Sequence, residues 1–129
     1  MLKSCGAKKI IPLKVSAAFH SSFMDSAEKK MANLLKNTYF NNSKYPIISN
    51  FNAYPCSKSS DIVFNLEKQI TNRVRWVETI KFLEKNNISH LIEIGPGKVL
   101  NGLNKRISKN FVFINVTNAD ELEKIKNVI

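Results

Sequence analysis

The N-terminal third of the chain changes its apolar period near residue 23. Four apolar residues first alternate with more polar ones: Ile11, Leu13, Val15 and Ala17. A period of two is typical of a strand, and Pro12 favours an edge position for it. The next apolar residues recur at helical spacing: Met24, Ala27, Met31 and Leu34. They predict a helix from Phe23 to about Asn37.

The middle of the chain predicts one short strand and two helices. Residues 45–51 are β-prone and bounded by turn residues. The serines within 57–60 are suited to capping the helix that follows. Four apolar residues share one face of that helix: Ile62, Val63, Leu66 and Ile70. After an interruption at Asn72, a further helix carries Trp76 and Ile80 and ends at Asn86 and Asn87.

The last third predicts a strand, a turn, a helix, a second strand and a final helix. Residues 91–94 are apolar and run directly into a Gly-Pro-Gly turn at 95–97. Four apolar residues of the following helix are expected to face inward: Val99, Leu100, Leu103 and Ile107. Residues 111–116 predict a strand, and Asn118 is suited to cap the last helix. The alternation predicts an α/β fold with a partial, mostly parallel sheet flanked by helices.

Length and composition narrow the class of protein. With 129 residues and 43% apolar content, the chain suits one domain with a real core. Its net charge of +10 suits phosphates or an acidic protein partner. No apolar run approaches the roughly 20 residues of a membrane span, and the N-terminus does not resemble a signal peptide. Cys5 and Cys56 lack the spacing of a disulfide framework or a zinc site, so we expect a cytoplasmic protein without a metal.

Several residues are candidates for chemistry. His20 lies where a predicted strand meets a helix, a common place for reacting groups in α/β sheets, although single histidines are more often structural. His90 opens a strand with no polar constellation nearby in sequence, so a structural or surface role is favoured. The turn at Gly95 and Gly97 offers helix N–H groups to an anion, but a plain strand–turn–helix connection explains it as well and is favoured. Cys56 paired with His20 as a thiolate nucleophile has no supporting signal.

Three segments resemble a known enzyme family when they are taken in order. They are Ala18-Phe19-His20-Ser21 followed by Met24, Gln69-Ile70-Thr71-Asn72 leading to Val74 and Trp76, and Glu93-Ile94-Gly95-Pro96-Gly97 with Leu100, Gly102 and Leu103. From about Gly6 to Ile107 the chain is similar to the C-terminal half of the malonyl-CoA:acyl carrier protein transacylases. The resemblance implies the C-terminal part of an α/β-hydrolase-like acyltransferase domain. Residues 1–12 would be a remnant strand of a small ferredoxin-like subdomain, 13–116 the acyltransferase half, and 117–129 a C-terminal helix.

The resemblance also implies a reaction and its residues. Members of the family pass a malonyl group from malonyl-CoA to the phosphopantetheine thiol of acyl carrier protein, through an acyl-serine. His20 would be the base. The main-chain carbonyl of Gln69 would accept from Nδ1–H and leave Nε2 free. Phe19 would favour malonyl over methylmalonyl by filling space beside the base. No cofactor is implied, because malonyl-CoA is a substrate and the partner carries the phosphopantetheine.

The family's nucleophilic serine has no counterpart in this sequence. None of the serines has glycine two residues away on both sides, so no G-x-S-x-G turn exists, and a phosphate-binding P-loop is equally absent. We therefore expect either half of a split enzyme, whose serine half a separate chain supplies, or a remnant of a broken gene. Alone, the chain should be inactive and prone to associate through an unpaired strand edge and apolar helix faces. The alternative is a gene remnant or a non-catalytic module that binds acyl carrier protein or nucleic acid. Nucleic acid is disfavoured because the basic residues are scattered and do not interleave with aromatics.

Overall fold

The computed structural model describes residues 1–12 and 16–125. The first residues form turns, in which the N–H of Cys5 donates to the carbonyl of Met1 at 3.1 Å. The strand predicted over 11–17 is wrong for the positions that are described, since 11, 12, 16 and 17 carry no strand. Its positions 13–15 lie outside the described residues. The division into parts 1–12, 13–116 and 117–129 stays a prediction.

The helices follow the predicted apolar periodicity closely. A 3₁₀ turn at Ser22–Met24 leads into the first of five helices in the described chain. The helices are α1 (Asp25–Lys36), α2 (Ser59–Lys68), α3 (Trp76–Lys85), α4 (Val99–Ile107) and α5 (Ala119–Ile125). Asn86 is the C-cap of α3, and Asn87 takes a left-handed φ of 58°, so the predicted end of this helix is confirmed. None of the helices in the described ranges combines the length and hydrophobicity of a membrane crossing.

The described strands form two small sheets. They are β1 (Ile47–Ile48), β2 (Pro55–Cys56), β3 (His90–Ile94) and β4 (Val112–Val116). β1 and β2 pair antiparallel. β3 and β4 pair parallel, with His90 opposite Val112, and α4 connects them. The α/β class is therefore confirmed, and the β3–α4–β4 unit supplies its parallel part.

Two predicted helix caps have different outcomes. Asn118 caps α5, because its Oδ1 accepts the N–H of Glu121 at 2.9 Å, as its residue type predicts. The serines at 57–60 do not cap α2, since Ser59 and Ser60 are its first two residues. The N-cap position is Lys58, without a side-chain cap bond. Instead Oδ1 of Asn42 accepts the N–H of Ser59 at 3.0 Å, from 17 positions earlier, a contact that local sequence cannot indicate.

Of the four apolar residues of α4 predicted to face inward, Ile107 is half-buried and the other three are exposed, so for those three the prediction is wrong. Val99 is 71% exposed, and Leu100 and Leu103 are about two-fifths exposed, at 42% and 41%. Asn101 and Asn104 are the buried residues of this helix. In the described chain, most of the apolar side of α4 therefore faces solvent.

The buried asparagines are stabilised by specific hydrogen bonds. Nδ2 of Asn101 donates to the carbonyl of Ile114 at 2.9 Å. Oδ1 of Asn104 accepts from the indole N–H of Trp76 at 2.8 Å. These bonds offset part of the cost of desolvation, although Oδ1 of Asn101 is buried without a hydrogen-bond partner in the part of the chain that the structure describes. This explains how the polar side of α4 packs against β4 and α3.

Candidate functional site

His20 lies in the turn before the 3₁₀ segment and has an unusual backbone. Its φ of 62° is in the left-handed region, which non-glycine residues adopt only when their surroundings hold them there. Its N–H donates to the carbonyl of Ile70 at 3.1 Å. The hydroxyl of Ser21 donates to the carbonyl of Ala18 at 2.7 Å. These bonds hold His20 in its strained conformation.

The ring of His20 contacts the end of α2. Nδ1 lies 2.7 Å from the main-chain carbonyl oxygen of Gln69, a residue 49 positions away. Because a carbonyl only accepts, Nδ1 carries the hydrogen, and Nε2 of the neutral ring presents a lone pair. Gln69 is the C-cap residue of α2. The last carbonyls of a helix have no partner within the helix, so those of Gln69 and Ile70 are free to accept from His20.

An apolar groove adjoins the histidine. It has a volume of about 400 Å³ and is lined by Phe19, His20, Met24, Ala27, Met31, Asn50, Gln69 and Ile70. Met24 comes from the 3₁₀ turn before α1, and Ala27 and Met31 come from α1 itself. Phe19 is 59% exposed, so its ring forms part of an open wall. The structure thus brings the three predicted site residues, Phe19, His20 and Gln69, to one groove.

A carboxylate on α1 binds the same end of α2. Oε1 of Glu28 lies 2.7 Å from Nζ of Lys68, and its Oε2 accepts the hydroxyl of Thr71. The hydrogen bond from Lys68, followed by that from Thr71, holds the pKa of the Glu28 carboxyl below its usual value. Nothing in the local sequence marks Glu28 as part of this site. Its partners lie 40 and 43 positions away, and no local pattern signals such a contact.

At the glycine turn, a carboxylate of the chain itself binds the N–H groups at the start of α4. The carboxylate of Glu93 accepts the N–H groups of Leu100 at 3.0 Å and Asn101 at 2.8 Å, at the start of α4. These bonds, that of Asn101 above all, lower the pKa of Glu93. Gly95 and Gly97 have φ values of 134° and 97°, which L side chains rarely adopt. Because Glu93 occupies the helix N–H groups, the structure favours a plain turn over a phosphate site.

The remaining candidates lie apart from this groove. Cys56 accepts a 3.4 Å contact from Nδ2 of Asn65 and lines a different cavity of about 130 Å³, one that His20 does not line. His90 contacts only its neighbour Ser89 in the hydrogen bonds recorded for its ring, at 2.8 Å. Within residues 1–12 and 16–125, no three His, Cys, Asp or Glu side chains are grouped to hold a metal ion. The structure therefore does not bring Cys56 and His20 together.

The curated proteins that the chain resembles share one name. No family model matches the chain. The malonyl CoA-acyl carrier protein transacylase of Staphylococcus aureus strain MSSA476 is 36% identical over 124 residues, which are 96% of this chain and 39% of that protein. The Synechocystis protein of the same name is 36% identical over 125 residues, 97% of this chain and 43% of the relative. The chain thus spans about two fifths of the length of the curated relatives it matches.

Solved structures show the same relationship. The acyl-carrier-protein-S-malonyltransferase of Bartonella henselae superposes with a TM-score of 0.91 at 40% identity, over 98% of this chain and 40% of that one. A malonyl-transacylase in complex with its type II PKS acyl-carrier protein superposes with a TM-score of 0.90 at 33% identity, over 98% and 41%. The resemblance predicted from the three motifs is therefore confirmed in sequence and in fold: the chain corresponds over nearly its whole length to a segment of the malonyl-CoA:acyl carrier protein transacylases.

Proposed function

We propose that the chain is the histidine-bearing segment of a malonyl-CoA:acyl carrier protein transacylase that serves fatty acid biosynthesis. A single observation carries the proposal. Nδ1 of the exposed His20 is bonded to the carbonyl of Gln69 at 2.7 Å, so Nε2 carries the lone pair of the neutral ring, and the residue lines an open apolar groove. A base presented in this way can take a proton from a nucleophile and return it to a leaving group.

The reaction then proceeds in two matched halves. Nε2 of His20 takes the proton of a serine hydroxyl as the serine oxygen attacks the thioester carbonyl of malonyl-CoA. That proton passes to the departing CoA sulfur, which leaves malonyl-serine. In the second half Nε2 takes the proton of the phosphopantetheine thiol, the sulfur attacks the malonyl ester, and the serine oxygen recovers the proton. The Gln69 carbonyl accepts from Nδ1–H throughout and orients the ring without a buried carboxylate.

Phe19 is proposed to select the acyl group. Its ring lies in the wall of the groove beside His20, where a 2-methyl substituent on the malonyl carbon would need space. A hydrophobic wall discriminates one carbon by about 1–3 kcal/mol. We therefore expect a preference for malonyl over methylmalonyl, and Phe19→Ala should reduce that preference.

The serine is proposed to come from a second segment, called the serine segment below. The 129 residues contain no G-x-S-x-G turn. Large apolar side chains that would suit a covering segment are exposed at the end of β3 and on α4, with Ile94 at 75% and Val99 at 71%. Acyl carrier protein is the proposed acceptor, in keeping with the net charge of +10 and the transacylase solved with its carrier protein. A cytoplasmic location completes the proposal.

The decisive experiment measures malonyl transfer to holo acyl carrier protein. The chain is assayed alone and together with an added serine segment taken from a relative. A third assay replaces the chain in that mixture with its His20→Ala variant. We expect transfer only in the mixture, and a loss of about 10³-fold or more with His20→Ala. His90→Ala is the matched control, and Gln69→Ala should cost little because only its main chain acts. Undiminished transfer by His20→Ala would overturn the proposal.

The same experiment tests the second candidate function, binding without transfer. The net charge of +10 suits an acidic carrier protein, so the second candidate is a module that holds acyl carrier protein and does not react with it. Micromolar binding of the carrier protein with no transfer in any mixture would support this second function. Neither binding nor transfer would support a gene remnant.

A further inference from the structure

We propose that Glu28 is a positioning residue for His20, an inference that rests on the proposed function and extends it to a side chain outside the three motifs. Glu28 touches neither the imidazole ring nor, in the proposed reaction, the reacting atoms. It acts on the end of α2, which supplies the carbonyl that orients the ring. Three contacts carry the argument.

The first contact is that of His20 with two consecutive carbonyls. Nδ1 donates to the oxygen of Gln69 at 2.7 Å, and the main-chain N–H donates to the oxygen of Ile70 at 3.1 Å. Both oxygens lie just beyond the last helical residue of α2. Their direction depends on how the helix ends, and helix ends fray unless side chains hold them. The orientation of the imidazole therefore depends on this turn.

The second contact is the carboxylate of Glu28, which bridges that turn. Its Oε1 binds Nζ of Lys68 at 2.7 Å, and its Oε2 accepts the hydroxyl of Thr71. Lys68 and Thr71 are the residues immediately before and after Gln69 and Ile70. The Glu28 side chain is 15% exposed and that of Lys68 is 31% exposed, so water competes only partly for these bonds. One carboxylate thus holds both sides of the two carbonyls.

The third contact is made by Asn72, the residue that follows Thr71. Nδ2 of Asn72 donates to the carbonyl of Lys68 at 2.8 Å and contacts the Thr71 hydroxyl at 3.2 Å. Glu28, Lys68, Thr71 and Asn72 therefore form one network around the two acceptors. Glu28 also lies on α1, the helix that supplies Ala27 and Met31 to the groove. The network thus fixes the histidine relative to the groove wall.

The first test is the tautomer of the His20 ring in the full-length chain, measured by ¹⁵N NMR. Wild type should be mainly Nδ1–H in its neutral form. Glu28→Gln keeps the size of the side chain but removes its charge, and we expect the Nδ1–H share to fall by about twofold or more. Glu78→Gln is the matched control, since Glu78 pairs with Arg73 and Arg75 on the surface of α3. Its tautomer ratio should equal that of wild type.

The second test is malonyl transfer in the mixture with the serine segment. Glu28→Gln should lower kcat about tenfold and leave KM within about twofold, because ring orientation affects the transition state and not ground-state binding. Glu78→Gln should leave both unchanged. If Glu28→Gln fails to fold, Thr71→Val and Thr71→Ser replace it. The valine variant should reproduce the loss of Nδ1–H and the serine variant, which keeps the hydroxyl, should restore it.

The outcomes separate this inference from the proposed function. If folded Glu28→Gln keeps the wild-type tautomer, positioning by Glu28 is overturned, whatever its kcat. If the tautomer shifts and kcat falls with KM unchanged, positioning is supported. If the tautomer shifts while wild type transfers no malonyl in any mixture, the ring-orienting role is supported and the proposed function fails.

Discussion

The β3–α4–β4 unit and the histidine unit, which we define as residues 16–72, both depend on a carboxylate that accepts hydrogen bonds. In the β3–α4–β4 unit, Glu93 accepts from N–H groups 7 and 8 positions away. In the histidine unit, Glu28 accepts from side chains 40 and 43 positions away. The first arrangement joins a strand to the helix that follows it. The second joins two helices that are distant in sequence.

The difference shows which parts of the structure depend on local sequence and which depend on packing between distant segments. A strand, a Gly-Pro-Gly turn and a helix start are adjacent in sequence, so Glu93 reaches the helix N-terminus whenever the turn forms. Glu28 meets Lys68 and Thr71 only after α1 and α2 pack together. We therefore expect local substitutions to affect the β3–α4–β4 unit alone, whereas the histidine unit should respond to any change that shifts α1 against α2.

The largest effect is expected from Gly95→Ala. A φ of 134° strains any L side chain, so we expect the free energy of unfolding to fall by about 1–3 kcal/mol. Hydrogen exchange by mass spectrometry should show the loss in peptides covering 90–116. Gly102→Ala is the control, because Gly102 lies within α4 and a Cβ there meets no atom within 4 Å. It should stabilise the chain by about 0.5–1 kcal/mol. Equal effects of the two variants would contradict the role of the turn.

A smaller effect is expected from Asn72→Ala in the histidine unit. The variant removes the bonds from Nδ2 to the Lys68 carbonyl and the Thr71 hydroxyl, at a cost of about 1 kcal/mol. Exchange should quicken in peptides covering 66–72 and stay unchanged in 90–116. Asn86→Ala is the control, since Asn86 makes the same bond to the Phe82 carbonyl at 2.8 Å but is exposed. Exchange changes of equal size at both helix ends would count against a special role for Asn72.

Acid should weaken both units through their carboxylates. The pKa of Glu28 and that of Glu93 lie below the ordinary value of 4.5. Each ionised group therefore stabilises the fold above that value, and the contribution is lost as pH falls through the lowered pKa. Peptide-resolved exchange between pH 5 and pH 3, a range set by those ordinary values at about 4.3–4.5, should show losses in both units. Glu28→Gln should remove the pH dependence only near 66–72, and Glu93→Gln only near 90–101. A pH response that neither substitution changes would refute this assignment.

The smallest effect is expected from Glu78→Gln. Glu78 pairs with Arg73 at 3.1 Å and Arg75 at 3.3 Å, on side chains that are 39–71% exposed. Exposed ion pairs contribute about 0–1 kcal/mol, so the unfolding midpoint in denaturant should barely move. A large loss would mean that the connection between the two units depends on this surface pair.

The helices were predictable from sequence because their apolar periodicity is local. The turn at Gly95, the end of α3 at Asn86 and the cap at Asn118 were predictable for the same reason, since each depends on the preferences of a few neighbouring residues. The face of α4 that is buried was not predictable from sequence. Val99 and Leu103 are apolar yet exposed, and Asn101 and Asn104 are buried, because amide side chains found partners on β4 and α3. The periodicity identifies an apolar face and does not identify what covers it.

The sequence by itself determined the family resemblance and the positions of the helices, and it led to the proposal of His20 as base, because motif order and apolar spacing are properties of the linear chain. Only the tertiary structure decided which atoms meet. The 2.7 Å bond from His20 to Gln69, the cap that Asn42 gives α2, and the binding of Lys68 and Thr71 by Glu28 each join residues 17 to 49 positions apart. Such contacts form only when whole helices pack, and packing depends on the entire chain at once.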